Sequence, residues 1–139
     1  LKRQKPEFKN LKYQEILTHL SKMDNSKSDI GLCSNNKIFE TGTSNLLFIK
    51  DNKVFSPINK FYKGITYRFF ESKIKKIIKK DIFLKSLKEF DEIILIGSGK
   101  GVSSVKTINQ IKWKRKSLKF YNILLKHYKT AVNKCKKFR

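Results

Sequence analysis

The stretch FETGTSNLLFIKDNKVFSP, residues 39–57, decides the fold that we predict for this chain. Asn45 begins an apolar run of strand-forming residues, and the pair Asp51-Asn52 interrupts it where a tight hairpin turn would lie. Pro57 ends the second strand, because proline cannot donate a hydrogen bond to a sheet ladder. The stretch therefore predicts an antiparallel hairpin, preceded by a carboxylate, Glu40, and by the small polar residues TGTS.

The segments on both sides of this hairpin predict a mixed α and β class, in which residues 1–139 form a single domain. Upstream, the turn-forming pair Asn35-Asn36 separates two short strands. Downstream, residues 65–78 carry apolar side chains at helical spacing, from Ile65 to Ile78, and these are expected to face inward. The predicted elements are a helix at 11–23, strands at 29–34 and 37–40, the hairpin at 45–57, helices at 65–78 and 83–91, strands at 92–97 and 102–109, and a closing helix at 118–132.

Two further small-residue turns follow the predicted hairpin. Gly64 opens the helix that begins GIT, and the turn GSGKG, residues 97–101, leaves a predicted strand. Helix N-termini and Ser/Gly turns both present backbone N–H donors that suit a phosphate group. The turn GSGKG fits neither nucleotide pattern, because Gly101 follows Gly99-Lys100 and Val102 stands where a dinucleotide motif needs its third glycine. The turns therefore predict a phosphate site of another kind.

The charge of the chain is strongly positive, at +22, and 39% of its residues are hydrophobic. Such a charge attracts polyanions, so a basic nucleic-acid-binding module is one functional hypothesis. Only four of the 33 basic residues are arginine, the side chain best suited to phosphate and base contacts. We therefore favour a solvated lysine surface and expect nucleic acid not to be the partner.

Cysteine usage and hydropathy predict a cytoplasmic protein without a membrane segment. Cys33 and Cys135 lie far apart and match no metal-ligand or redox spacing, so no metal is predicted. No run approaches the roughly 18 apolar residues of a membrane span, and none has the form of a signal-peptide core.

Three blocks in order resemble the C-terminal half of the class IV pyridoxal-phosphate enzymes, which include branched-chain and D-amino-acid aminotransferases and aminodeoxychorismate lyase. The blocks are FETGTSNLLFIKDNKVFSP, KGITYRFFESKIKK and FDEIILIGSGKGVSSV. The first shares the family's Glu with an Asn five residues later and then an apolar pair, which are Glu40, Asn45 and Leu46-Leu47. The resemblance implies the pseudo-barrel C-terminal domain of that fold, the cofactor pyridoxal 5'-phosphate and a homodimer. It also implies that the family's small N-terminal domain has no counterpart in residues 1–139.

The resemblance also implies roles for individual residues. PEFKNLKY matches the family's lysine pattern, so Lys9 would be the catalytic lysine that bonds to the cofactor, with Lys5 or Lys12 as alternatives. Tyr13 would contact the phenolic oxygen of the cofactor, and Glu40 its pyridine nitrogen. The phosphate would be held by the backbone of Ile65 and Thr66 and by the turn residues Gly97 and Ser98, without Lys100.

The turn GSGKG bears on which reaction is implied. Ser98 and Lys100 stand where the lyases of the family place a serine and a basic residue, whereas Gly97 is placed as in the aminotransferases. We favour a lyase that converts 4-amino-4-deoxychorismate to 4-aminobenzoate and pyruvate for folate synthesis. An amino-acid aminotransferase is the second hypothesis, and a fragment that keeps the fold without the chemistry is a third.

Overall fold

The computed structural model describes residues 14–24 and 26–135 and confirms a mixed α and β fold. Within these residues the main elements are three α-helices and nine strands, with short 3-10 helices at Leu84–Glu89 and Asn109–Ile111. The helices are α1 Gln14–Leu20, α2 Ile65–Lys73 and α3 Lys119–Lys134; the strands are β1 Gly31–Ser34, β2 Lys37–Thr41, β3 Asn45–Lys50, β4 Lys53–Ser56, β5 Ile77–Lys79, β6 Glu92–Gly97, β7 Gly101–Ser104, β8 Thr107–Ile108 and β9 Trp113–Lys114. No helix in the described ranges combines the length and the apolarity that crossing a membrane requires.

The centre of the fold is a five-stranded sheet in the order β5-β4-β3-β6-β7. Strands β4 and β5 pair in parallel and the other pairs are antiparallel, while β1-β2 and β8-β9 form separate hairpins. Side chains alternate between the two faces of a strand, so a strand that is covered on both faces is apolar throughout. This is why β3 and β6 contain the continuous apolar runs LLFI and IILI.

Each face of the central strands belongs to its own hydrophobic cluster. Leu47 and Ile94 pack with Tyr67 and Phe70 of α2 and with Leu124 of α3. On the opposite face, a second cluster contains Leu46, Phe48, Ile93 and Leu95, together with Phe90 and Trp113. Helices α2 and α3 therefore lie on one face of the sheet, and the 3-10 segments and the β8-β9 hairpin cover the other.

Both predicted hairpin turns are confirmed. Asn35 and Asn36 have φ values of 53° and 61°, and Asp51 and Asn52 have values of 51° and 60°. Two successive positive φ values give the two-residue turn whose twist matches that of the flanking strands, and Asn and Asp adopt this conformation at low cost.

The predicted helix at residues 65–78 is confirmed to residue 73 and is wrong over its last five residues. Helix α2 ends at Lys73, Ile74 is extended, and Ile77 pairs in parallel with Val54 of β4. The expectation that Ile65 faces inward is also wrong, since 83% of its surface is exposed and the buried face of this short helix is formed by Thr66, Tyr67 and Phe70. The isoleucines near residue 77 extend the edge of the sheet instead of continuing the helix.

Three smaller boundaries also differ from the prediction. Helix α1 ends at Leu20, short of residue 23, and the beginning of the predicted helix lies outside the described residues. Residues 84–89 form a 3-10 helix, and the predicted strand at 102–109 is divided into β7 and β8. The closing helix is confirmed, although it runs two residues further, to Lys134.

Candidate cofactor-binding site

Glu40 is a buried carboxylate on β2, with only 4% of its surface exposed. Its Oε2 atom accepts a hydrogen bond of 2.8 Å from the backbone N–H of Tyr62, which lies 22 residues later in the chain. Buried carboxylates need hydrogen-bond donors or opposite charges around them. The bond to Tyr62 therefore ties the carboxylate to the loop that leads into α2.

Asn45, the first residue of β3, makes two hydrogen bonds to the same loop. Its Nδ2 atom donates to the carbonyl oxygen of Tyr62 at 2.7 Å, and its Oδ1 atom accepts from the N–H of Gly64 at 3.1 Å. A Cβ atom added to Gly64 would lie 3.2 Å from Oδ1, so a larger residue would crowd the asparagine. The side chain of Asn45 therefore fixes the backbone immediately before α2.

The N-terminus of α2 presents the backbone donors that were predicted for the phosphate. The first four N–H groups of an α-helix have no acceptor within the helix, and Gly64 provides no side-chain cap. Ile65 and Thr66 are the first two residues of α2; Thr66 is 6% exposed, whereas the side chain of Ile65 lies in solvent. This helix end therefore has the donors and the dipole that favour an anion.

The turn between β6 and β7 lies against the TGTS turn. Asn45 pairs with Ile96, and a Cβ atom added to the next residue, Gly97, would lie 3.2 Å from the Oγ atom of Ser44. Ser98 follows as an exposed turn residue. All three sequence blocks thus meet: Glu40 and Asn45 bond to the loop before α2, and Asn45 also begins the strand that pairs with β6.

Asp29 is a residue near these turns that the sequence did not reveal. Its side chain is 6% exposed, and its Oδ2 atom lies 3.1 Å from the Nζ atom of Lys100, which is itself 20% exposed. The same oxygen accepts hydrogen bonds from the hydroxyl groups of Thr41, at 2.8 Å, and Thr43. The partners lie 12 to 71 residues away in the chain, so no local pattern could have identified Asp29.

The predicted residues Lys9 and Tyr13, and the alternatives Lys5 and Lys12, lie outside the described residues. Their roles therefore stay predictions, as do those of Glu40, Ile65, Thr66, Gly97 and Ser98, although the structure brings the last five into adjoining segments. In the described part of the chain, no three His, Cys, Asp or Glu side chains are grouped so that they could hold a metal ion.

Comparison with known families identifies the class of protein. Residues 1–108 match the family described as Amino-transferase class IV, and the chain belongs to this family. A search of curated protein sequences found no match. The resemblance inferred from the three blocks is confirmed, and pyridoxal 5'-phosphate is the cofactor of the family.

Solved structures share the fold at low sequence identity. 4-amino-4-deoxychorismate lyase from Pseudomonas aeruginosa has 16% identity and a TM-score of 0.72, over 99% of this chain and 52% of that one. The branched-chain aminotransferase of Thermoproteus uzoniensis with norvaline has 15% identity and a TM-score of 0.73, over 87% and 43%. The branched-chain amino acid aminotransferase from Escherichia coli has 19% identity and a TM-score of 0.69, over 88% and 43%. This chain therefore spans about half the length of these proteins.

Proposed function

We propose that this chain supplies the cofactor-binding half of a pyridoxal-phosphate enzyme whose reaction is the cleavage of 4-amino-4-deoxychorismate to 4-aminobenzoate and pyruvate. One observation carries the cofactor assignment. The loop from Tyr62 to Gly64, directly before the amides of α2, is bonded by the buried carboxylate of Glu40 at the N–H of Tyr62, and by Asn45 at the carbonyl oxygen of Tyr62 and the N–H of Gly64. A carboxylate and an anion-binding helix end at two neighbouring points fit a ligand that has a basic ring nitrogen and a phosphate.

The buried carboxylate suits the ring nitrogen. The cofactor supplies an electron-withdrawing ring that accepts charge from the α-carbon of the substrate, and it does so best when its nitrogen is protonated. Glu40 would hold that proton, because a carboxylate that is largely withdrawn from water stabilises a neighbouring positive charge strongly. The backbone N–H groups of Ile65 and Thr66, with Gly97 and Ser98, would bind the phosphate.

Lys9 would carry the covalent bond to the cofactor and would move the α-proton of the substrate, and Tyr13 would face the phenolic oxygen. Both assignments come from the spacing of PEFKNLKY. An amine near neutral pH works as a general base only when its surroundings favour the neutral form. The homodimer inferred from the family is part of the same proposal, and light scattering during size-exclusion chromatography would test it.

The reaction is inferred from the turn between β6 and β7. Ser98 and Lys100 match the lyase pattern, and a lyase and aminotransferases are all found among the proteins with this fold. An aminotransferase acting on branched-chain amino acids is therefore the second candidate. Release of pyruvate from 4-amino-4-deoxychorismate, measured with lactate dehydrogenase, would support the lyase. Formation of glutamate from 2-oxoglutarate and an amino acid, without pyruvate release, would instead support the aminotransferase.

Cofactor binding is tested first with the 139-residue chain. Adding pyridoxal 5'-phosphate is expected to give a visible absorption band that Lys9→Ala abolishes and Lys50→Ala leaves intact, since Lys50 lies at the end of β3 opposite Asn45 and pairs with Glu89. A band that survives Lys9→Ala would transfer the role to Lys5 or Lys12. Salt-sensitive retention on DNA or RNA with no band in the wild-type chain would replace the enzyme by the nucleic-acid module.

The role of Glu40 is tested by Glu40→Gln in the polypeptide encoded by the complete reading frame. Glutamine can still accept the Tyr62 hydrogen bond but carries no negative charge, so we expect the band to form and turnover to fall by about a hundredfold or more. Unchanged turnover would remove Glu40 from the site.

A further inference from the structure

Two contacts hold the far end of the turn that connects β6 to β7. Gly101 packs under the ring of Tyr128 of α3, since a Cβ atom added to this glycine would lie 3.1 Å from Cε1 of that ring. Lys100, one residue earlier, forms an ion pair of 3.1 Å with Asp29. The ion pair therefore connects the far end of the turn to Asp29, which also bonds to the TGTS segment through Thr41 and Thr43.

Asp29 joins this turn to the second turn of the site. Its Oδ2 atom accepts hydrogen bonds from Lys100, Thr41 and Thr43, and its Oδ1 atom accepts from the N–H of Ile30 at 2.8 Å. A carboxylate that is 6% exposed would be costly without these donors. Together they satisfy its charge, so that the carboxylate adds little repulsion toward a phosphate.

We propose that Asp29 and Lys100 are positioning residues that align the turn carrying Ser98 with the TGTS turn, and that Lys100 does not bind the phosphate itself. This inference rests on the proposed function, because it assigns a purpose to the ion pair only if a phosphate occupies the turn. Charge-assisted hydrogen bonds to phosphate depend steeply on distance and angle. A turn that is released from Asp29 would therefore lose phosphate affinity without any direct contact being removed.

The experiment compares two ligands that differ only in the phosphate, pyridoxal 5'-phosphate and pyridoxal. Dissociation constants are measured by visible absorption for the wild-type chain, Asp29→Asn and Lys100→Met. We expect both variants to weaken pyridoxal 5'-phosphate binding about tenfold, the scale of one weakened charge-assisted hydrogen bond, and to leave pyridoxal within about twofold. Lys100→Arg, which keeps the charge that pairs with Asp29, is expected to restore most of the affinity.

Asp81→Asn is the matched control for Asp29→Asn, because Asp81 forms an ion pair of 2.9 Å with Lys37 and its replacement likewise removes one negative charge. It is expected to leave both dissociation constants unchanged, whereas an equal weakening would mean that losing an ion pair anywhere in the fold weakens binding and would overturn the inference. If Asp29→Asn does not fold, as judged by thermal unfolding without ligand, Thr43→Val takes its place, because it keeps Lys100 and removes a hydrogen bond to Asp29 at an exposed residue. Weaker binding of pyridoxal 5'-phosphate alone in Thr43→Val supports positioning, and unchanged binding contradicts it.

The direction of the two effects separates positioning from direct binding. Weaker phosphate-selective binding in both variants supports the proposal. If Lys100→Met weakens binding while Asp29→Asn leaves it unchanged or strengthens it, Lys100 binds the phosphate directly and the proposal is wrong. No change in either variant, with a wild-type chain that prefers the phosphorylated ligand, also overturns it and leaves the proposed function intact. A wild-type chain with no preference overturns the proposed phosphate site, and this inference with it.

Discussion

Replacing Glu92 by glutamine is expected to loosen α3, because this residue caps the helix from the neighbouring sheet. Glu92 is 1% exposed, and its Oε2 and Oε1 atoms each accept a 3.0 Å hydrogen bond, from the backbone N–H groups of Phe120 and Tyr121. Leu118, at the helix start, has no side chain that could cap these donors. Glu92 of strand β6 therefore supplies the acceptors that the residues at the start of α3 do not provide for the first N–H groups of the helix.

The magnitude follows from the two bonds. An amide side chain offers one oxygen, so Glu92→Gln loses one of the two hydrogen bonds and places its NH2 group against a backbone N–H. A hydrogen bond to a charged group contributes about 1.5–3 kcal/mol. A negative charge at a helix N-terminus contributes about 0.3–1 kcal/mol more. We therefore expect Glu92→Gln to lower the free energy of unfolding by about 2–4 kcal/mol, a large part of the roughly 5–15 kcal/mol typical of a domain.

Urea unfolding at neutral pH measures this change, and hydrogen exchange of the α3 amides shows where it acts. Glu89→Gln is the control, because the Glu89 side chain is 57% exposed and its pair with Lys50, at 3.5 Å, is a surface contact. Such a contact contributes about 1 kcal/mol or less. A loss of under about 0.5 kcal/mol in Glu92→Gln, or one equal to that of Glu89→Gln, would refute the capping role.

Two further changes test the surroundings of the site. Gly101→Ala should lower the free energy of unfolding by about 1–3 kcal/mol, because Gly101 has a φ of 66° and an added Cβ would crowd Tyr128. Gly99→Ala is the control, since a Cβ atom at Gly99 meets nothing within 4 Å. Equal losses in the two variants would contradict the prediction. Lys79, 2.9 Å away, holds the pKa of Glu71 below its usual range. A carboxylate whose pKa is lower in the folded than in the unfolded chain stabilises the fold fully only at pH values above the pKa of the unfolded chain. The urea midpoint of Glu71→Gln should therefore lie below that of wild type at about pH 7 and approach it below about pH 4. A difference between the two midpoints that persists at about pH 2 would contradict this prediction.

The sequence predicted those parts of the fold in which local chemistry determines the backbone. Asn35-Asn36 and Asp51-Asn52 adopt positive φ values because their own side chains tolerate them, and no distant contact is needed. The strands around them are apolar enough to be recognised from a few residues. The turns and the strand pairs next to them could therefore be placed from the sequence alone.

The end of α2 could not be predicted, because its outcome depends on a distant strand. Ile74 and Ile77 fit helical spacing, but Ile77 also fits a strand, and the edge of β4 was available for pairing. A parallel pairing between Val54 and Ile77 is decided by tertiary contacts that periodicity does not contain. The helix therefore ends before Ile77, which pairs with the edge strand of the sheet instead.

The candidate site likewise contains residues that the sequence predicted and residues that it did not. The resemblance of the blocks that contain Glu40, Asn45 and Gly64 to a known family predicted a common site, and the hydrogen bonds of these residues confirm that the segments meet. The cluster around Asp29 was missed because its partners are brought together only by the fold. The role of Glu92 was missed for the same reason, since its acceptor atoms and the N–H groups they bind are separated by 28 and 29 residues.

The loop from Tyr62 to Gly64 has a thermodynamic consequence. Glu40 accepts from the N–H of Tyr62, while Asn45 bonds to the carbonyl oxygen of Tyr62 and to the N–H of Gly64, so both side chains hold the same three residues and a displacement of one affects the other. A free-energy coupling between two binding points is reciprocal. Ring and phosphate would thus not contribute independent increments to affinity: the losses of binding free energy on removing each group singly should add up to more than the loss on removing both.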